Sequence, residues 1–475
     1  MYDVVIIGAG IIGGSIFREL SKYKINILAL EKENDVAMGA TKANSAIIHA
    51  GFDPPVGTMM SKYNVSGNRM YENLCAELSV PYENNGALVI AFSENDLKTI
   101  EKLYSRGKAV GVSNLNILSK DETLKKEPSL NKEIFGALYA ETSSIICPFQ
   151  YTVALFENGI FNGGRLCLNE EVIKIETLGS NFVIHTKKSI FKTKFIINAA
   201  GIYADKIHNM VLPEEFSINS RLGEYIIFNK DQGELFDSTI FQCPSINGKG
   251  VLVSKTVHGN LFIGPSATNI ASKDDVSTTE DGLEYIKKMA KKTSRKIDFK
   301  KPLKNYAGNR AIPSTDDFII KNSKKLKNFI DVAGIKSPGL TCAPAIAKDV
   351  VLILKDVGLK LREKENFYPI RKQINFLELT SKEKNEIILK DKNFGKIICS
   401  CENITKGEIL DAMDRCFGVP SVGSIKRRCR ASMGRCQGNY CVPIIVKMIS
   451  RKYNIPENLV NLDSNGSNML LKRTK

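Results

Sequence analysis

Three spaced glycines at the end of an apolar strand constrain this chain more than any other feature. In DVVIIGAGIIGGSIFRELSKYKINILALEK, Gly8, Gly10 and Gly13 follow the run Val4 to Ile7 and open a stretch with helical periodicity, Ile12 to Leu20. Gly8 permits the tight turn, Gly10 lets backbone approach a pyrophosphate, and Gly13 lets the helix pack on the strand. The helix N-terminus offers N–H groups and a positive dipole to phosphate. The next strand, INILALE, ends at Glu31, whose carboxylate can accept hydrogen bonds from ribose hydroxyls. Strand, triplet, helix, strand and acid in that order predict a βαβ unit that binds an adenine dinucleotide. The unit leaves FAD and NAD both open.

Two later tracts read as parts of the same domain. TKFIINAAGIYADKI, Thr193 to Ile207, and NFIDVAGIKSPGLTCAPAIAKDV, Asn328 to Val350, each run strand, Gly-containing loop, helix. Between them EYIIFNK, GVLVSK and NLFIGPSA alternate as strands. A helical stretch with repeated charges is expected over about 60–130. The expected division is a discontinuous nucleotide domain (1–80, 145–220 and 310–365), a β-rich substrate domain (81–144 and 221–309), a linker (366–395), a cysteine-rich domain (396–455) and a tail (456–475).

With 43% hydrophobic and 25% charged residues, the 475-residue chain is globular, and a disordered or collagen-like chain is excluded. No apolar run is long enough to span a bilayer. The first residues lead straight into a strand without a basic region or cleavage site, so the expected location is cytoplasmic, with peripheral contact at the inner membrane face left open. The net charge of +16 comes from scattered lysines and does not point to nucleic acid.

Eleven cysteines in a reducing compartment are not a disulfide framework. Cys75, Cys147, Cys167, Cys243 and Cys342 are isolated and read as small core residues. The other six crowd into CSCENITKGEIL…KRRCRASMGRCQGNYC, where Cys399-x-Cys401 and Cys436-x4-Cys441 form two pairs. Two separated thiolate pairs suit one [2Fe–2S] cluster, each iron taking two sulfurs. Zinc with four cysteines is the competing reading. Cys416 and Cys429 fall outside the pairs and read as packing residues.

GATKANSAIIHAGF, NAAGIYAD and GIKSPGLTCAPAIA resemble the three flavin-contacting segments of the glycerol-3-phosphate dehydrogenase and D-amino-acid oxidase superfamily. The tail, down to MGRCQGNYC, resembles the bacterioferritin-associated-ferredoxin-like [2Fe–2S] domain. The resemblance implies an α/β FAD-binding Rossmann-like domain, an inserted β-rich (α+β) substrate domain over the flavin, and a small helical [2Fe–2S] module. It implies that Thr41, Ser45, Ala200, Gly201, Gly339 and Thr341 contact the flavin beside Gly8, Gly10, Gly13 and Glu31. Cys399, Cys401, Cys436 and Cys441 would hold the cluster.

Of the four histidines, His49 alone falls inside a flavin-wrapping motif. Oxidising an alcohol needs a base for the hydroxyl proton, and an imidazole titrating near neutrality suits that task. His185 reads as a surface strand residue, His208 as a capping or surface residue, and His258 as a solvent-facing turn residue. Lys255 and Arg310 lie where glycerol-3-phosphate oxidases of the superfamily carry substrate-side cations, and Ser337 adds a hydroxyl. The expected reaction is FAD-dependent oxidation of sn-glycerol 3-phosphate, with electrons passed on to a protein or quinone. The alternatives are a 2-hydroxy acid such as L-2-hydroxyglutarate, or an electron-transfer subunit without a substrate. Because the cluster module follows a linker, its loss is expected to spare FAD binding.

Overall fold

A computed structural model describes residues 1–244 and 250–472. Its centre is a parallel sheet in which β1 (Tyr2–Ile7) lies between β2 (Ile27–Leu30) and the strand Ile190–Asn198. Arg165–Cys167 and Phe329–Ala333 add parallel partners outside these. Val4, Val5 and Ile6 are wholly buried because both faces of the sheet are covered, which is why the strand reads as an unbroken apolar run. The helices α1 (Ile11–Leu20), Pro148–Phe161 and Gly339–Asp356 pack on one face, joining Ile16, Phe17, Phe156 and Ile346 in one cluster. Gly13 sits where α1 crosses the turn: a Cβ there would lie 1.9 Å from the Gly8 carbonyl oxygen.

The second sheet has nine strands in the order 268–270, 218–228, 261–264, 252–255, 239–242, 87–91, 136–140, 115–119, with 302–313 also on 218–228. Its backbone is the long antiparallel ladder between Ile218–Phe228 and Pro302–Pro313, running from Ile218↔Pro313 to Phe228↔Pro302. This ladder crosses the expected limits at 220/221 and 309/310, because its continuous hydrogen bonding runs straight through both sites.

Two other expectations change. The stretch 60–130 is not all helical: Ala87–Ala91 and Leu115–Ser119 are sheet strands, the first wholly buried, flanked by the charged helices Glu94–Ala109 and Lys120–Lys126. Segment 366–395 is not a free linker. Asn158 and Asn162 donate to the carbonyls of Tyr368 and Pro369, and Arg371 pairs with Glu157 and donates to Leu78 O. The helix Ser381–Lys390 follows, with a capping box from Thr380 and Glu383.

The C-terminal module has its own core around Ile409, Met413, Ile425, Ile445 and Ile449. Its helix Val422–Cys429 docks on the nucleotide domain through charge. Asp35, 1% exposed, accepts from Arg427 and from both terminal nitrogens of Arg428, itself 2% exposed. Asp463 bridges Arg427 to Lys42. Burial alone would raise the Asp35 pKa; Arg428 and then Arg427 outweigh it and hold the carboxyl well below its usual range. Arg415 reaches Glu157, and Phe417 packs edge-on to Phe156.

Candidate active site

The glycine turn is built to receive a phosphate. Gly10 caps α1 with no side-chain hydrogen bond, and Thr41 Oγ1 accepts from Ile11 N at 3.0 Å. Glu31 Oε2 accepts from Ala9 N at 2.8 Å and Oε1 from Glu33 N at 3.0 Å. Burial raises the Glu31 pKa, opposed by those two N–H groups. A Cβ at Gly39 or Gly201 would meet nothing within 4 Å, so both expected flavin loops border open space. A helix N-terminus opened by glycine, a carboxylate beside it and two open glycine loops are the dipole and room that suit FAD.

The segment 43–49 joins the two sheets. Ala43 O would lie 2.2 Å from a Cβ on Gly308, so the strand Pro302–Pro313 passes against it backbone to backbone. Tyr306 donates to Asn44 O at 3.2 Å and stacks on Tyr225 with centroids 4.7 Å apart; Tyr225 shares a 3.2 Å hydrogen bond with Ser45. The two-residue period of a strand puts Arg310 on the same face as Tyr306 and Gly308. Its Nη2 donates to Ser266 O at 3.0 Å. The guanidinium crosses above Gly223, where a Cβ would lie 2.3 Å from Nη2.

His49 follows the strand Ile47–Ile48. Its N–H donates to Thr341 Oγ1 at 2.9 Å, and its carbonyl accepts from Asn68. The ring lies 5.8 Å from Phe241 at 34°, and with Phe52, Val89 and Leu103 the two border a cavity of about 30 Å³. Thr341, expected to face flavin, is fully buried with its hydroxyl shared between His49 N and Ile47 O, so it also fixes the loop that presents the histidine. Gly339 opens the same helix, Ser337 is exposed in the loop before it, and Ala200 lies beside Gly201 in the second loop. Lys255 pairs with Glu83 at 2.6 Å, and among the described residues it has no partner in common with Arg310.

Two histidines differ from expectation. His208 is fully buried and not at the surface: Nδ1 faces Asp331 at 2.8 Å and Nε2 faces Pro213 O at 3.1 Å. Burial alone would lower its pKa, but the carboxylate and carbonyl outweigh it and raise it. Asp331 also accepts from Asn198, tying the pair to the second flavin loop. His258 is half-buried and not solvent-facing, bonded to Gln150 at 3.0 Å; burial, then Arg430 and Lys230, push its pKa well down. His185 pairs with Glu176 on the strand surface. Alternation could have marked Tyr225 and Tyr306; nothing local marks Asp331 or Asp35.

In the module, the four thiols stand as two pairs, Cys399 with Cys441 and Cys401 with Cys436. The Cys441 thiol, followed by the N–H groups of Ser432 and Glu402, holds the Cys399 thiol below its usual range against burial. Burial raises the Cys436 thiol, but Gly438 N–H, Cys401 and the N–H groups of Tyr440 and Asn439 turn the net shift downward. Two thiol pairs can supply the four thiolates of one [2Fe–2S] cluster, two to each iron. Cys416 and Cys429 bond to helix carbonyls, Ala412 O and Ile425 O, and burial raises their pKa to about 11 and about 12.

These features define a two-cofactor redox protein. The chain belongs to the FAD dependent oxidoreductase family, matched over residues 3–352, and carries a BFD-like [2Fe-2S] binding domain over residues 397–451. At a finer level, it is 48% identical over 476 residues to the glycerol 3-phosphate dehydrogenase of Caloramator mitchellensis, covering 100% of this chain and 99% of that one. It is 34% identical to the glycerol 3-phosphate oxidase of Mycoplasma genitalium, over 77% of this chain and 97% of that one. The structure superposes on the dithionite-reduced, FAD-bound L-α-glycerophosphate oxidase of Mycoplasma pneumoniae with a TM-score of 0.75 and 34% identity, covering 78% of this chain and 99% of that one. No helix among the described residues is long and apolar enough to cross a membrane.

Proposed function

We propose that this protein oxidises sn-glycerol 3-phosphate to dihydroxyacetone phosphate and passes the electrons to its C-terminal cluster. Full-length similarity to a relative named glycerol 3-phosphate dehydrogenase carries the reading. The placement of His49 and Arg310 around the segment 43–49 supports it. Bound FAD supplies the two-electron acceptor for the alcohol carbon.

The chain's own residues do the rest. His49 takes the hydroxyl proton, its loop held by Thr341 and Asn68 so that the ring stays beside Phe241. Arg310 receives the phosphate; a guanidinium fork suits that anion, and Gly223 leaves it room. Ser337 and Lys255 are the remaining polar candidates, and Lys255 must first leave Glu83. Phe52, Val89 and Leu103 line the histidine's side with apolar surface and keep water from it. Glu31, Thr41 and the glycine turn hold the dinucleotide. Cysteines that stay as thiols and cluster ligands are compatible with a reducing compartment, and the cytoplasmic side is the location that goes with this reading.

Anaerobic mixing tests the substrate. Glycerol 3-phosphate is expected to bleach the flavin absorbance, and L-2-hydroxyglutarate to leave it unchanged. Bleaching by the hydroxy acid alone would reassign the substrate, and bleaching by neither would leave an electron-transfer subunit.

A further inference from the structure

The C-terminal module treats its two sides differently. No Asp or Glu lies between Asp414 and Glu457, a stretch rich in Lys and Arg. The cations on the inner side have carboxylate partners: Arg427 and Arg428 meet Asp35, Arg415 meets Glu157, and Arg430 meets Glu402. On the outer side, Arg435, Lys447 and Arg451 are exposed and make no ion pair among the described residues. They accompany Tyr440, 75% exposed, and Ile444, 42% exposed. Tyr440, Ile444, Lys447 and Arg451 recur at helical spacing, so they form one stripe down the helix Cys441–Tyr453 and the residue that caps it. The head of the stripe is at the cysteines: Tyr440 precedes Cys441, and its N–H bonds to Cys436.

We propose that this stripe is the docking surface for a small acidic one-electron carrier protein, which draws electrons from the cluster at its Cys436 edge. The inference rests on the relay reading given above. An apolar first turn beside the cysteines gives the contact its desolvated centre, and the basic residues beyond it give steering and orientation. Four inner arginines of the same module, Arg415, Arg427, Arg428 and Arg430, set the expected complement, since each is met by a carboxylate. A lipid surface fits less well, because a membrane-lying helix needs an apolar face along its length, and here the second and third turns present Lys447 and Arg451. Each encounter moves one electron to the oxidised centre of the carrier. Two encounters clear the two electrons of one oxidised alcohol, whose two protons leave to solvent.

The test uses the holoenzyme with two one-electron haem proteins as probes, acidic cytochrome b5 and basic cytochrome c, and dichlorophenolindophenol as a small acceptor. The unmodified enzyme should reduce cytochrome b5 faster than cytochrome c, with a rate that falls as salt rises. The double variant Arg435→Glu, Lys447→Glu should lose about tenfold or more in the second-order rate with cytochrome b5 and gain with cytochrome c. Its iron content and dichlorophenolindophenol rate should not change, and its binding to immobilised cytochrome b5 should weaken in parallel. Tyr440→Ala should weaken the same binding without reversing the preference between carriers. Electrons are introduced both by glycerol 3-phosphate and by photoreduction, so a wrong substrate silences only the first arm. Equal cytochrome b5 rates in variant and parent, a parent preference for cytochrome c, or no reduction of cytochrome b5 after photoreduction would each overturn the proposal. So would a variant that loses only its binding to phosphatidylglycerol vesicles, which would assign the stripe to membrane.

Discussion

At the glycine turn, backbone meets backbone: Gly13 and Gly8 leave no room for a Cβ, and the N–H groups of Ala9 and Ile11 are held by Glu31 and Thr41. At the cysteine module, side chains from two separated segments supply the thiols, and the module is attached by carboxylates and guanidiniums that are far apart in the chain. The first site is local and steric. The second is assembled over long range and electrostatic. A local steric site fails through a single added carbon, whereas a long-range charged one fails through a single lost partner.

The largest expected effect breaks either side outright. Gly13→Val should leave mostly apo-protein with respect to FAD, read by flavin released per chain, since its Cβ falls on Gly8 O. Cys401→Ser or Cys436→Ser should do the same to iron and acid-labile sulfide, which approach two of each per chain in a [2Fe–2S] protein. Cys416→Ser and Cys429→Ser should retain the cluster. If Gly13→Val kept full flavin, the steric half of the contrast would be wrong.

Next in size is His49→Gln, which should leave the flavin spectrum intact and slow its reduction by roughly 10²–10⁴-fold in stopped-flow mixing. An unchanged rate would move the base elsewhere.

Asp35→Ala tests the electrostatic half. It leaves Arg428 buried without its bidentate carboxylate and Arg427 with Asp463 alone, a loss of about 3–5 kcal/mol in chemical denaturation. Because the Asp35 pKa is depressed, its contribution is present at neutral pH and lost only as pH falls through that depressed value, so the native contact should survive mild acid. Proteolysis between the two regions should become faster in the variant. A variant as stable as its parent would show the module to be held by other contacts.

The smallest effect concerns His208. Its pKa is raised, so its stabilising share is complete below the unfolded value of about 6.5 and declines as pH rises through the folded value. His208→Gln should therefore be less stable than the parent near pH 6, by about 1.5–3 kcal/mol in chemical denaturation for a charged hydrogen bond, with the gap closing in alkaline buffer. A gap that widened with pH would contradict the Asp331 pairing.

Much of the nucleotide domain was legible because its signals are local. Strand, glycines, helix and Glu31 follow one another, and the apolar run Val4–Ile7 is buried on both faces as its composition demands. The four cysteines were legible from their spacing, but the fold pairs them across the two segments, Cys399 with Cys441 and Cys401 with Cys436. His208 and His258 were misread because their partners, Asp331 and Gln150, come from elsewhere in the chain, and a helical or turn residue shows nothing of that. Thr341 reads from sequence only as part of a Gly-containing turn into a helix, and the fold shows its hydroxyl turned to His49 N. Segment 366–395 is polar and lysine-rich, and Glu157, Asn158 and Asn162 on another helix decide that it is tied down.

The Asp35 contact also bears on how the protein is made. Its two arginine partners follow it by 392 and 393 residues, so the ribosome emits the cofactor loop long before the residues that neutralise it. Until Arg427 and Arg428 emerge, Asp35 has to stay hydrated, which keeps the stretch between Glu31 and Thr41 from closing in its final form. Contrary to the expectation that losing the module spares FAD binding, a chain cut before residue 396 should retain flavin more weakly than the intact protein. In that case the module would act as a clasp on the loop around Asp35.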